Sequence, residues 1–387
     1  MRVVELAAIG PAPFACMVLA DLGAEVIRVD RIPAQAAGGV LGALLAHDTP
    51  LDRGRRSLAV DLRKPAGVAA VLDLAATADV LVEGFRPGVA ERLGIGPAAC
   101  LPRNPRLVYG RMTGWGQDGP LARAAGHDLN YIALTGALHA MGEAGRPPMP
   151  PLNLVGDYGG GGMLLALGVV AALLERATSG KGQVVDAAMV DGAALLMAPI
   201  YALRAKGGWQ DEREANLLDG GAPFYACYAC ADGRYVSVAA IEPQFYALLL
   251  TTLDIAPAGA AAQWDRAAWP SLRERLTARF LTRPRQAWCD LLEGTDACFA
   301  PVLSMGEAPQ HPHMAARGSF ALHDGQPHPA AAPRFSRSVA TPPPPAPQVG
   351  ADTAAILTEL GYDGETIARL LADGSVSGPS ETTLARS

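Results

Sequence analysis

The chain has 387 residues, of which 50% are apolar, and this length and composition allow a large core divided over two or three domains. A formal net charge of −6 excludes a general nucleic-acid-binding protein, although arginines cluster locally between residues 28 and 63 and suit an anionic ligand. The six cysteines are scattered through apolar segments, which excludes a small secreted disulfide scaffold and favours a reducing, cytoplasmic location.

Neither a targeting segment nor a metal motif is predicted. Glu5 falls where a secretory signal would be apolar, so no signal peptide is expected. The longest apolar run, 163–174, is shorter than the roughly 20 residues of a membrane span and is predicted to be a buried helix. Cys227 and Cys230 form a single Cys-x-x-Cys with no second pair, in a segment that alternates like a strand.

The first part of the chain has the pattern of an α/β domain with a parallel sheet. Apolar strands are predicted at 3–7, 24–29, 58–62, 80–83 and 107–109, and helices at 11–22 and 65–78. The Gly/Ala-rich stretch 34–51 has no clean period and is predicted to be a mobile loop.

The remaining elements are shorter and more mixed. A helix is predicted at 163–177, a strand at 183–187, one long helix at 189–206, a polar connector at 207–221, a hairpin at 223–230 and 234–240, and helices at 243–253, 271–281 and 284–292. A proline cluster at 326–348 is expected to be extended, because proline fixes φ and lacks a backbone donor. Two short helices at 353–360 and 365–371 and a disordered Ser/Thr-rich end follow.

These elements predict two domains. The large α/β domain covers 1–195 and receives 325–387, while 222–320 forms a smaller α+β domain. Residues 196–221 and 321–350 are predicted linkers, the second of them proline-rich.

One histidine and one aspartate stand out as candidate proton carriers. His127 lies in Ala-Gly-His-Asp-Leu-Asn-Tyr, and an unperturbed imidazole exchanges protons near neutral pH. Asp157 precedes four consecutive glycines and an apolar helix, so we expect its carboxylate at a helix N-terminus. Because glycines cost helix stability, their run predicts a close approach of the backbone to something, with a thioester ligand as one candidate. A hydrogen-bonded structural histidine and a simple N-cap aspartate are the alternatives.

Several longer segments together resemble the class III CoA-transferase superfamily, and within it the α-methylacyl-CoA racemases. The segments that carry the resemblance are Val4-Glu5-Leu6-Ala7, Asp21-Leu22-Gly23-Ala24-Glu25-Val26, Asp61-Leu62, Glu83-Gly84-Phe85-Arg86-Pro87-Gly88, Arg111-Met112-Thr113-Gly114-Trp115-Gly116-Gln117 and Gly182-Gln183-Val184-Val185-Asp186-Ala187-Ala188. The resemblance extends over nearly the whole chain.

The resemblance implies a Rossmann-like large domain, a small domain, and a homodimer whose subunits interlock as rings and share the active site. It implies that His127 and Asp157 are the catalytic pair, with Asn153 beside the aspartate and Glu242 beside the histidine. It further implies that Arg31, Val60, Asp61, Leu62, Arg63, Arg86 and Arg92 contact CoA, and that Gly126, Asp128, Leu129, Asn130 and Tyr131 line the thioester.

The activity implied is racemisation of (2R)- and (2S)-2-methylacyl-CoA by 1,1-proton transfer through an enolate. No metal and no separate cofactor is implied, since CoA is part of the substrate. A class III CoA-transferase with Asp157 as the nucleophile is the first alternative, and a non-catalytic CoA-binding subunit is the second. His127 favours the racemase, because a transferase gives that histidine no required part.

Overall fold

The computed structural model of the protein describes residues 1–32, 50–256, 263–323, 325–338 and 343–379. The predicted loop 34–51 lies almost wholly outside the described residues, as does the predicted disordered end beyond 379.

Seven strands of the described residues form one sheet. They are β1 Arg2–Leu6, β2 Glu25–Arg31, β3 Arg55–Val60, β4 Val80–Glu83, β5 Val108–Thr113, β6 Val184–Ala188 and β12 Val376–Ser377. Their order in the sheet is β12-β3-β2-β1-β4-β5-β6, and all neighbours are parallel except β12, which pairs antiparallel with β3. The predicted parallel sheet is therefore confirmed, while the two-residue strand β12 was missed because it is too short to show a period.

Successive residues of these strands face opposite sides of the sheet, and both sides are buried. Val3 and Val4, neighbours in β1, belong to two different apolar clusters. The cluster around Val4 is completed by helices that contribute Leu74 and Ile356, and the cluster around Val3 by a helix that contributes Leu165. Helices on both faces explain why the strands are apolar runs rather than alternating ones.

The helices of the chain begin at proline in many cases, where the missing N–H costs nothing. They are α1 Pro11–Asp21, α2 Pro65–Thr77, α3 Val89–Arg92, α4 Pro97–Cys100, α5 Asp128–Ala133, a π-helix Leu154–Met163, α6 Leu164–Ser179, α7 Met189–Leu196, α8 Ala198–Ala205, α9 Pro243–Thr252, α10 Trp269–Phe280, α11 Arg285–Leu292, α12 Pro312–Arg317, α13 Thr353–Glu359 and α14 Gly364–Ala372.

The prediction of a single helix at 189–206 is wrong, because this range forms two helices, α7 and α8, which are separated at Met197. Pro199 lies in the first turn of α8. A proline there lacks a donor and clashes with the carbonyl four residues earlier, so α7 cannot run on through it.

The predicted helix at 163–177 is longer than expected. The π-helix and α6 form one helical run, Leu154–Ser179, of 26 residues. In the part of the chain that is described, it is the one run long and apolar enough to cross a membrane by length and composition. That is weak evidence for a span, because Leu165 and Val169 of this run are fully buried in the core beneath the sheet.

Contacts between Cα atoms divide the chain into two units. The first contains 1–135, 152–196 and 321–387, and the second contains 136–151 and 197–320. Residues 197–221, predicted to be a linker, thus group with the second unit, and the functional domain boundaries stay a prediction. The second unit holds an antiparallel sheet of β7 Tyr225–Ala229, β8 Tyr235–Ala239 and β9 Phe299–Val302.

The predicted hairpin is confirmed by the pairing of β7 with β8, and its apolar residues pack in one cluster with Phe224 and Trp288, both fully buried. A separate two-stranded sheet joins β10 Phe320–His323 to β11 Gln326–Pro329, so the start of the predicted proline-rich linker 321–350 forms strands. The short helices predicted near the C-terminus are confirmed as α13 and α14.

Candidate active site

His127 is the residue that precedes α5, and its backbone is held by the segment that follows it. The His127 N–H donates to Asn130 Oδ1 at 3.1 Å, and the Asn130 N–H donates back to the His127 carbonyl at 2.8 Å. The His127 side chain is exposed. Asn130 thus has a clear structural part in fixing the histidine, whatever it contacts in a substrate.

Tyr131 stabilises the same turn from below. Its hydroxyl donates to the Gly126 carbonyl, and its ring stands edge-on to Trp115 with the centroids 4.7 Å apart. A side chain at Gly126 would begin 2.8 Å from the Tyr131 ring, so only glycine fits there. Gly126 and Tyr131, predicted to line the thioester, contact each other and support His127.

Asp157 lies inside the π-helix rather than at its cap. Asn153 occupies the N-cap position, and its Nδ2 donates to Asp157 Oδ2 at 3.0 Å. Asp157 lies in the first turn of this helix, so the expected carboxylate near a helix N-terminus is confirmed, while the alternative of a simple N-cap aspartate is wrong. Asn153 lies beside the aspartate, as the resemblance implied. Leu152, just before the cap, has φ of 60°, a left-handed conformation that costs a non-glycine residue energy.

Asp128 joins the two segments. Its Oδ1 accepts a hydrogen bond from the Asp157 N–H at 2.6 Å, although Asp128 directly follows His127 in the chain. The side chain is only 5% exposed. The structure thus brings the two predicted proton carriers into one site, and their mutual charge interaction is part of the electrostatics of Asp157.

The pKa of the Asp157 carboxyl is raised above its ordinary value. Burial is the largest cause, and the negative charge of Asp128 adds to it, whereas the hydrogen bond from Asn153 and the charge of His127 act in the opposite direction. The pKa of Tyr131 is raised too, first by burial and then by the charge of Asp157. A carboxyl whose pKa moves toward neutral is suited to taking up and releasing protons.

The glycine run after Asp157 has a packing explanation, which corrects the expected approach to a ligand. A Cβ at Gly160 would lie 2.6 Å from the Ala193 nitrogen in α7. One at Gly162 would lie 2.6 Å from the Phe14 ring and 2.8 Å from the Pro11 carbonyl in α1. The glycines let α1 and α7 pack directly on the π-helix, a rare conformation that is frequent at functional sites.

Most of the predicted CoA contacts share one cavity at the carboxyl ends of the parallel strands. Its volume is about 590 Å³. Its lining includes Arg31, Val60, Asp61, Leu62 and Arg63, which follow or end β2 and β3. Open α/β sheets bind ligands at this edge. Arg63 forms an ion pair with Asp61 at 2.9 Å, which lowers the pKa of Asp61 to about 2.

Arg86 and Arg92 line a smaller cavity of about 260 Å³ together with Arg123. The loop of Arg86 is held by Glu83, a fully buried residue whose Oε2 accepts the Phe85 N–H at 2.6 Å and whose Oε1 accepts from Arg111 at 2.9 Å. Three guanidinium groups around one small cavity suit phosphate oxygens. Sequence reasoning missed Arg123, which only its chain proximity to Gly126 could have suggested.

Sequence reasoning also missed Gly10. It has φ of 76° and is the residue that precedes α1, and a Cβ there would lie 3.7 Å from Asp157 Oδ2. The turn after β1 thus forms one wall of the site, a role signalled only by an Ile-Gly-Pro sequence after a central strand.

Glu242 lies in the second unit, where it is the residue that precedes α9. Its predicted contact with His127 stays a prediction. Within the described ranges, no group of three or more His, Cys, Asp or Glu side chains is arranged to hold a metal ion. Cys227 is exposed and Cys230 is buried, and both are free thiols.

A sequence profile of CoA-transferase family III matches residues 1–353. The chain belongs to this family. It is 46% identical to the mouse (Mus musculus) protein named alpha-methylacyl-CoA racemase, over 96% of each chain, and 42% identical to the human (Homo sapiens) protein of that name, again over 96% of each. The crystal structure of a CAIB/BAIF family protein from Brucella suis is similar with a TM-score of 0.78 and 28% identity, covering 93% of this chain and 98% of that one. The family resemblance stated from the sequence is confirmed.

Proposed function

We propose that the protein is an α-methylacyl-CoA racemase, which interconverts (2R)- and (2S)-2-methylacyl-CoA. The observation that carries this is identity of 46% over nearly the full length with a protein of that name. The geometry supports it, because Asp128 follows His127 in the chain and bonds the backbone of Asp157, and the pKa of the Asp157 carboxyl is raised by burial.

In the proposed reaction, His127 and Asp157 exchange a proton with opposite faces of the substrate α-carbon. One group, as the base, accepts the α-proton, and the electrons of the broken C–H bond move onto the thioester as an enolate. The other group, protonated beforehand, delivers its proton to the opposite face and restores the neutral thioester. The reverse direction uses the same pair with the proton on the other partner.

In this proposal the protein binds the substrate by its CoA moiety, and no separate cofactor or metal is required. Arg31 and Arg63 would face it at the larger cavity, and Arg86 and Arg92 at the smaller one. Arginine suits these places because its planar fork binds two phosphate oxygens at once.

The proposal includes a homodimer with a shared site, with the subunits interlocked. Its support is an apolar stripe on one side of the run Leu154–Ser179, formed by Met163, Leu167, Val170 and Leu174, which are 48%, 63%, 49% and 74% exposed. Their spacing puts them on one helix face, where a second copy would cover them. Leu167→Glu is expected to give monomers in sedimentation, whereas Leu371→Glu, an exposed leucine of α14, is expected to leave the dimer intact.

A cytoplasmic location is also proposed. Its support is that all six cysteines are free thiols, four of them buried, as expected for a reducing compartment.

The deciding experiment is proton NMR of the purified enzyme with (2R)- or (2S)-2-methylacyl-CoA in D2O. Loss of the α-proton signal with inversion at the α-carbon is expected for the wild type, and both His127→Ala and Asp157→Ala should abolish inversion. His139→Ala is the matched control and should exchange normally, since His139 belongs to the second unit and bonds the Asp211 carbonyl.

A CoA-transferase would give a different pattern. It would leave the α-proton in place, transfer CoA only once an acceptor carboxylate is added, lose activity in Asp157→Ala and tolerate His127→Ala. That result would replace the racemase proposal.

A further inference from the structure

Asp128 is the buried residue that connects the two proton carriers, and its own chemistry is unused by the proposed reaction. We infer that Asp128 is a positioning residue, which holds the backbone of Asp157 beside His127 and places a fixed negative charge next to the Asp157 carboxyl. The inference rests on the proposed function and deepens it.

The positional part of this inference follows from two links. A single peptide bond joins Asp128 to His127, and a hydrogen bond of 2.6 Å joins Asp128 Oδ1 to the Asp157 N–H. Hydrogen bonds in which the acceptor is ionised are shorter and stronger than neutral ones. The spacing of the two carriers is therefore set by one side chain rather than by two independent segments.

The π-helix leaves room for the Asp128 carboxylate at Gly156. A Cβ at Gly156 would lie 2.5 Å from Asp128 Oδ1 and 3.2 Å from Ile132, so a glycine is needed where the oxygen meets the π-helix. The second oxygen, Asp128 Oδ2, is buried and has no hydrogen-bond partner among the described residues. A buried carboxylate oxygen without a partner costs stability, and such a cost is typical of functional sites.

The electrostatic part concerns the proton affinity of Asp157. The titratable groups that act on it are His127, whose charge favours its ionised form, and Asp128, which disfavours it. Tyr131 is also near and feels the charges of Asp157, Asp128 and Arg86. The facing residues Gly10 and Phe14 of the neighbouring α1 segment carry no charge.

This charge matters because the proposed reaction requires a protonated Asp157 with a neutral His127 for one direction, and an ionised Asp157 with a protonated His127 for the other. If the pKa of the carboxyl were far below that of the imidazole, the form with a protonated aspartate and a neutral histidine would be rare. A fixed anion beside Asp157 disfavours the ionised carboxyl and so favours its protonated form. Since no variant changes the overall equilibrium constant, kcat/KM must change by the same factor for both enantiomers.

The test uses the full-length enzyme with Asp128→Asn and Asp128→Ala. Asparagine removes the charge but keeps an oxygen that can accept the Asp157 N–H, whereas alanine removes both. Asp363→Asn is the matched control, because Asp363 accepts the Thr366 N–H at 2.7 Å at the start of α14 and is likewise changed from carboxylate to amide.

Two measurements are made on each variant. Carbon NMR of 13C-labelled aspartate, assigned with Asp157→Asn, follows the titration of the Asp157 carboxyl without any need for activity. The pH profile of α-proton exchange follows the same group in the reaction. The two readouts separate this inference from the proposed function, because an inactive wild type would refute the racemase while the titration still decides the part played by Asp128.

In Asp128→Asn, the Asp157 titration and the acid limb of the pH profile are expected to move to lower pH by about half a unit or more. In Asp128→Ala, kcat is expected to fall about 100-fold with KM nearly unchanged, as for a misplacement of about 1 Å. An unmoved titration in both variants, or exchange within twofold of wild type in Asp128→Ala, would overturn the inference. A purely structural part would lower stability without moving the titration.

Discussion

The contact between Gly160 and Gly192 makes a quantitative prediction about how the site is held. A Cβ at Gly192, in α7, would be nearest to the Gly160 carbonyl oxygen, and it would lie 2.5 Å from the Gly160 carbonyl carbon and 2.7 Å from its Cα. Carbon atoms pack best at about 3.5 to 4.0 Å, so Gly192→Ala must separate α7 from the π-helix by at least about 1 Å. All three neighbours are backbone atoms, and no side-chain rotation can relieve the clash.

The expected cost is about 3 kcal/mol, at the upper end for overpacking, because the clash is with main chain. For a unit of this size that lowers the midpoint of thermal unfolding by about 6 to 12 °C. Asp157 lies on the displaced π-helix, so we also expect α-proton exchange to fall about 100-fold at a temperature where the variant is folded.

The matched control is Gly364→Ala. A Cβ at this first residue of α14 meets nothing within 4 Å, so the substitution is expected to leave stability unchanged or raise it slightly. Thermal unfolding followed by circular dichroism, together with the exchange assay, measures both quantities. Wild-type stability and exchange in Gly192→Ala would refute the claim that backbone contact between these helices positions Asp157.

Three further predictions concern charge. Because the pKa of Asp157 is raised on folding, its contribution to stability is present below the unfolded pKa and is lost as pH rises through the folded pKa. Asp157→Asn should therefore stabilise the protein more at pH 7 than at pH 4, as measured by urea titration. Arg55→Met should destabilise by about 3 to 5 kcal/mol, because it leaves the fully buried Glu5, bonded at 3.0 Å, without its partner. Arg86→Ala should raise KM for acyl-CoA about 10-fold or more with kcat nearly unchanged, and Arg103→Ala should not.

Each of these has a contradicting result. Equal stabilisation of Asp157→Asn at both pH values would mean that burial of its charge costs nothing. A small loss in Arg55→Met that is not recovered by also changing Glu5 to Gln would show that the buried pair does not act as a unit. A fall in kcat with unchanged KM in Arg86→Ala would place Arg86 in the chemistry rather than in binding.

The central parallel strands of the first unit and the helices at 11–21 and 65–77 were predictable because their signals are local. A run such as Val3-Val4-Glu5-Leu6 can be buried on both faces only in a covered parallel sheet, and prolines at positions 11 and 65 mark helix starts. Pro199 is a local signal of the same kind for the break between α7 and α8, so this break could also have been predicted from the sequence.

The sequence proposed the residues of the candidate site, but it could not give their geometry. Ionisable side chains in apolar segments identified His127 and Asp157, and the family motifs added Asn153 and the arginines. The link through Asp128 could not be foreseen, since it depends on the close approach of two segments that are distant in the sequence. Arg123 likewise reaches the smaller cavity, and Gly10 the Asp157 carboxylate, only through the folded chain.

The sequence by itself determined the α/β class and the family, and it proposed His127 and Asp157 as proton carriers, because periodicity and residue chemistry are properties of the linear chain. Only the tertiary structure decided what the glycines after Asp157 are for. In the sequence, a run of glycines is equally compatible with a bound ligand and with a closely packed helix. The positions of Pro11, Phe14 and Gly192 show that neighbouring helices fill the space. Such a choice depends on which surfaces meet, and that is settled by packing over the whole unit rather than by any local pattern.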